Sequence, residues 1–142
     1  MGRGGALAAL DALRPGGDCW RVWRPGVPCV TLRLADGTGM PCVVALRFGQ
    51  RLRGLLGSVP ADLAGRVLVF PRCASLHTVG MGYALDVALI DGTGMVVRHM
   101  RGVRPGRVVG AQGALVALER PASGMPWPVE GEHVAFEVPG SA

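Results

Sequence analysis

Cys73, His77 and Met81 recur at every fourth position in CASLHTVGM, residues 73 to 81. A thiol beside an imidazole is the pattern of an activated nucleophile, and a thiol, an imidazole and a thioether together are soft ligands for copper or zinc. Two carboxylates inside apolar strands, Asp86 in LDVALI and Glu119 in VALER, add candidates for acid and base work. His77, Cys73, Asp86 and Glu119 are therefore the residues that could catalyse.

Geometry separates them. Apart from Leu76 and His77, the residues between Cys73 and Met81 are small or β-branched, and Thr78, Val79, Gly80 and Gly82 disfavour a helix, so the stretch reads as extended. Residues four apart on a strand share a face but lie about 13 Å apart, at about 3.3 Å per residue. A shared metal and a direct Cys73–His77 dyad are both disfavoured, and neither a metal nor another cofactor is expected. Cys73 is read as a small buried hydrophobe. His77 and Thr78 leave opposite faces of the strand, so His77 is expected to line a small pocket or to sit in the core bonded to the backbone. Asp86 interrupts an apolar strand and must be paired, capped or exposed, with an ion pair to Arg51 or Arg53 as the favoured solution.

The elements that position these groups are short. With 23 glycines and 11 prolines in 142 residues, the chain has turn signals throughout and room for one domain. CVTLRL (29–34) and MPCVVALR (40–47), joined by ADGTG, read as a β-hairpin. FGQRLRGLLG (48–57) changes to a helical period, with Phe48, Leu52, Leu55 and Leu56 on one face and Gly57 as the stop. RVLVF (66–70) is a strand, and ALDVALID with DGTGMVVRHM forms a second hairpin over 84–100. GALVALER (113–120) and HVAFEV (133–138) are the remaining strands. The pentapeptide DGTGM occurs at 36–40 and again at 91–95 and is read as one turn solution used twice. Segment 101–112, RGVRPGRVVGAQ, is expected to be a connection at the rim of a cleft. The fold class is α+β and mostly antiparallel β: a curled sheet or small barrel with one packed helix.

Residues 1–28 read as an N-terminal extension with a short amphipathic helix ended by Pro15, Gly16 and Gly17, and 29–142 as the single β-rich domain. Asp11 interrupts the apolar run of the extension and no small-residue cleavage site follows, so a cytoplasmic protein with reduced thiols is expected. Cys19 and Cys29 would pair only in an oxidising compartment. No apolar run approaches the about 20 residues of a membrane span. The net charge is +5 and all fifteen basic residues are arginine, but they are scattered and aromatics are only 5%, a poor footprint for nucleic acid.

RLRGLLG, LVF, CASLHTVGM running into ALDVALIDGTGMVV, ALVALE and GEHV occur in that order. The ordered set, over about residues 41–138, resembles the uncharacterised domain-of-unknown-function family 192. The resemblance implies a compact, mostly antiparallel β domain packed with one helix, found in bacteria and archaea and without an established activity. In the larger branch of that family the segment before the aspartate resembles FWMKNT, whereas this chain has the C-x-x-x-H-T-x-x-M form of a second branch. His77 then stands where the first branch carries Trp, which argues against a universal catalytic role. Residues 1–40 lie largely outside the resemblance, so Cys19, Trp20, Trp23 and Cys29 inherit nothing from it.

The expected function is that of a small non-enzymatic domain, monomeric or weakly dimeric, binding a small ligand or a protein partner in a cleft near His77. His77, Thr78, Met81, Asp86 and Arg51 are its expected contacts. The alternative is a small hydrolase or thiol enzyme using Cys73 or His77 with Asp86 or Glu119.

Overall fold

A computed structural model describes residues 29–44 and 66–137. The first run forms β1 (Cys29–Arg33) and β2 (Gly39–Val44). The second forms β3 (Val67–Pro71), β4 (Ser75–His77), β5 (Leu85–Asp91), β6 (Val96–Val103), β7 (Val108–Gly110), β8 (Ala114–Pro121) and β9 (Ala135–Glu137). No helix occurs among the described residues. The helices expected over 48–57 and near the N-terminus fall outside them, as do Arg51, Arg53, Cys19 and the proposed boundary at residue 28. No described helix is long and apolar enough to cross a membrane.

Seven strands make one sheet in the order β6-β5-β8-β3-β2-β1-β9, and β4 and β7 form a separate two-stranded ribbon. Every neighbouring pair is antiparallel except β2 with β3, so the sheet is mixed. A parallel pair cannot be joined by a tight turn and requires a crossover connection.

The sheet curls until its two edges meet at one end. β6 and β9 are its outermost strands, yet Met95 bridges His133. Three backbone hydrogen bonds of 2.9 Å close the seam: Val96 N to Glu132 O, Gly131 N to Val96 O, and Val134 N to Gly94 O. The result is a half-closed barrel.

Period-2 alternation divides the buried side chains between its two faces. Val30, Leu32, Cys42, Val69, Ile90 and Phe136 belong to a cluster with members from both edges of the sheet, which places it on the concave side. Val43, Leu68, Phe70, Val87, Leu89 and Ala117 form a second cluster on the convex side, and Leu76 of β4 and Val109 of β7 pack there from the ribbon. Burial on both faces explains why LDVALI and VLVF read as continuous apolar runs. Each fully buried Leu, Ile or Val contributes about 1.5–3 kcal/mol.

Two expectations need correction. Segment 101–112 is more than a connection: it carries the end of β6 and all of β7, with Val103 and Val109 buried. A three-residue strand has too little pattern to stand out from a loop. The two DGTGM copies also turn in different registers. In the first, Gly37 N bonds Leu34 O and Gly37 takes φ 92°. In the second, Gly94 N bonds Asp91 O and Gly94 takes φ 93°. What they share is the local Asx bond, Thr38 N to Asp36 Oδ1 and Thr93 N to Asp91 Oδ1, both 2.8 Å. The offset follows from tertiary context, because the second copy must also present Gly94 and Val96 to the seam.

Candidate functional site

Asp86 lies on the row of β5 that also carries Ala88 and Ile90, and Arg120 on the row of β8 that carries Val116 and Leu118. Both rows face the concave side, and the two residues are direct partners across the β5–β8 ladder. Arg120 Nε donates to Asp86 Oδ2 at 2.9 Å, with side-chain exposures of only 6% and 1%. Beside them the β5–β6 register shifts between Leu85 and Val87, and Gly102 takes φ 66°. This bulge turns Gly102 N toward Asp86 Oδ1, 3.0 Å away. Ser123 N donates to Oδ2 at 3.2 Å. The carboxylate thus accepts three hydrogen bonds, which is how a buried charge is tolerated. Its partner is an arginine of the adjacent strand, so among the described residues the ion pair ties a loop to the sheet; Arg51 and Arg53 lie outside them.

That loop is the strap Ala122–Trp127. Arg120 Nη1 donates to Pro126 O at 3.0 Å and Nη2 to Met125 O at 2.7 Å. Arg101 reaches Ser123 O and Met125 O from the neighbouring strand. The Arg120 guanidinium sits 4.5 Å from the Trp127 ring centroid, and Trp127 Nε1 donates to Val87 O at 3.0 Å. These bonds hold a proline- and glycine-containing segment in one conformation.

The strap stands away from β2 and leaves a cleft of about 370 Å³ between them. Thr38, Gly39, Met40 and Pro41 form one wall; Pro121, Ala122, Ser123 and Met125 form the other. Among the described residues its charged lining groups are Arg66 and Arg120, and no carboxylate lines it. The Arg120 guanidinium is already engaged by Asp86 and the two strap carbonyls. Arg66, half-buried at the entry to β3, has no hydrogen-bond or ion-pair partner among the described residues. The volume lies in the range of small-molecule sites, about 300–1,000 Å³.

The residues singled out from the sequence lie elsewhere, apart from Asp86 beneath the strap. His77 is exposed on β4, opposite Val108 of β7, and does not line this cleft. Thr78 is fully buried: its hydroxyl donates to Arg104 O at 2.6 Å and accepts from Arg107 N at 2.9 Å, stapling the turn between β6 and β7. Met81 packs against the convex cluster. Cys73 is half-buried there, and its thiol donates to Ser75 O at 2.8 Å. Glu119 is buried on the convex face between Leu68 and Val87, its partners across the ladders. Asp86 and Glu119 therefore leave opposite faces of the sheet and are not brought together. Among the described residues no group of three or more His, Cys, Asp or Glu could hold a metal ion.

Arg66, Arg120, Met40 and the strap were not picked out from the sequence. Arg120 left a usable signal: it continues the inward row of Val116 and Leu118, where a charge demands a carboxylate on the neighbouring inward row. Arg66 left none.

Two solved structures share the fold. One, a putative transcription regulator from Sinorhizobium meliloti 1021, superposes with a TM-score of 0.59 at 17% identity, covering 78% of this chain and 93% of that one. The other, a protein of unknown function from Novosphingobium aromaticivorans DSM 12444, gives 0.58 at 17% identity, covering 89% and 95%. At this identity the likeness is one of fold, on which function does not follow. No family model and no curated protein matches the chain.

Proposed function

We propose that this protein is a small, non-enzymatic ligand-binding domain, and that its site is the cleft between β2 and the strap rather than the surface around His77. One observation carries this reading: a mostly apolar cleft of about 370 Å³ whose far wall is held by the buried Asp86–Arg120 pair. A preformed wall lowers the ordering cost of binding. The thiol-enzyme alternative has less support, since the Cys73 thiol donates to a backbone carbonyl and His77 faces solvent.

The domain is further read as a divergent relative of domain-of-unknown-function family 192. Four of the motifs behind that resemblance fall on barrel-building elements, LVF on β3, ALDVALIDGTGMVV on the β5–β6 hairpin, ALVALE on β8 and GEHV on the closing seam, while CASLHTVGM spans β4 of the ribbon and RLRGLLG lies outside the described residues. The parallel β2–β3 pair supports the helix expected over 48–57, the usual form of such a crossover.

The test uses methyl-labelled methionines, because Met40 and Met125 line the cleft while Met81 packs on the convex face. A panel of small apolar compounds is expected to shift Met40 and Met125 and to leave Met81 in place. Shifts confined to Met81, or none from any compound, would refute the assignment of the site.

A further inference from the structure

The lining of the cleft is asymmetric in charge. Among the described residues it holds two guanidinium groups and no carboxylate, and since Arg120 is paired with Asp86, a cationic ligand would meet the uncompensated charge of Arg66. Of the two, Arg120 already donates through Nε, Nη1 and Nη2 to Asp86, Pro126 and Met125. Arg66 has no such engagement among the described residues and is half-buried, where a charge-assisted hydrogen bond is stronger than in open water. The rest of the lining is largely apolar, and its two methionines, Met40 and Met125, are side chains that adapt to irregular apolar shapes. Met125 is 65% exposed, apolar surface that a bound tail would cover.

Resting on the reading of the cleft as the binding site, we infer that its ligand is an amphiphilic carboxylate whose apolar chain lies between Met40 and Met125 and whose head group pairs with Arg66. The guanidinium matches a carboxylate in a two-pronged geometry that an ammonium group does not reproduce. The chain length is bounded by the cleft, which suits a medium-length aliphatic acid better than a membrane lipid with two long tails.

The experiment titrates the full chain with three probes of one length, octanoate, 1-octanol and octylammonium, following the Met40 and Met125 methyl signals. Octanoate is expected to bind at least about tenfold more tightly than octanol, and octylammonium more weakly still. Arg66→Ala should remove that preference, bringing octanoate down to octanol, and Arg66→Lys should restore only part of it. Ala122→Trp, which adds bulk to the strap wall of the cleft, should abolish binding of octanoate and octanol alike. Unchanged Met81 and Met100 signals verify that each variant folds. Equal binding of octanoate and octanol, or octanoate binding unaffected in Arg66→Ala, overturns the carboxylate inference and leaves the cleft as a site. Failure of all three probes to move Met40 or Met125 overturns both.

Discussion

Asp86 and Arg120 face each other across β5 and β8 at 2.9 Å, and both are buried at the base of a strap that neither of them belongs to. Between them they hold Gly102 of the β6 bulge and Ser123, Met125 and Pro126 of the strap. One pair thus positions a wall of the cleft. A buried pair of this kind adds little net stability over an apolar pair, but breaking it strands a charge.

Asp86→Ala and Arg120→Ala should each destabilise the protein by about 3–5 kcal/mol. Because each already breaks the same network, the double variant should fall short of the summed loss by about 1 kcal/mol or more. Urea unfolding of the four proteins measures this; simple additivity would show that the pair does not act as a unit.

Cys42 is fully buried, donates to Met40 O at 3.3 Å, and burial pushes its thiol up to about 12. In the native protein at neutral pH it should resist a thiol reagent that modifies half-buried Cys73, as peptide mapping would report. The raised value has a sign. Its stabilising contribution is complete below the unfolded thiol value, near 8.5, and is lost as pH rises from there through about 12. Cys42→Ala should therefore reduce the alkaline slope of stability, whatever its cavity does to the absolute value.

At Asp91, burial pushes the carboxyl up but is outweighed by hydrogen bonds from the Thr93 hydroxyl and amide and the Met95 amide, with the nearby His133 assisting, so the net shift is downward. A depressed carboxyl contributes stability above its unfolded value, near 3.9, and loses it as pH falls through the lower folded value. Thermal midpoints of Asp91→Asn should consequently fall less steeply than wild type on the acid side. An identical acid limb in the two proteins would remove Asp91 as its source.

Thr78→Val keeps the shape of the side chain but leaves Arg104 O and Arg107 N without their hydroxyl partner. A loss of about 1–3 kcal/mol is expected, together with faster amide exchange at Arg107. His77→Ala, one residue away but exposed, should change stability by less than about 0.5 kcal/mol. A larger effect of His77→Ala than of Thr78→Val would reverse the roles assigned to this strand.

The strands were legible where the chain carries its own punctuation. The hairpins read over 29–47 and 84–100 follow from apolar runs interrupted by DGTG, and the structure has their described strands at 29–44 and 85–103; RVLVF follows from a run closed by Pro71 and GALVALER from its alternation. The site was not legible in the same way. His77 drew attention through its spacing from Cys73 and Met81, yet it is Thr78 beside it that is buried, and Arg66 sits at the start of a strand with nothing in its neighbours to mark it.

By itself the sequence determined the class of structure: short β-strands separated by glycine, proline and Asx turns, because strand period and turn chemistry act over a few residues. It also determined that a carboxylate inside LDVALI cannot be buried alone, because the cost of an isolated buried charge does not depend on the fold. Only the tertiary structure decided that the partner is Arg120, 34 residues away, that the two copies of DGTGM turn in different registers, and that Met95 meets His133 to close the barrel. Each of these depends on the register between strands distant in the chain, and a shift of one residue would send Arg120 to the opposite face of the sheet.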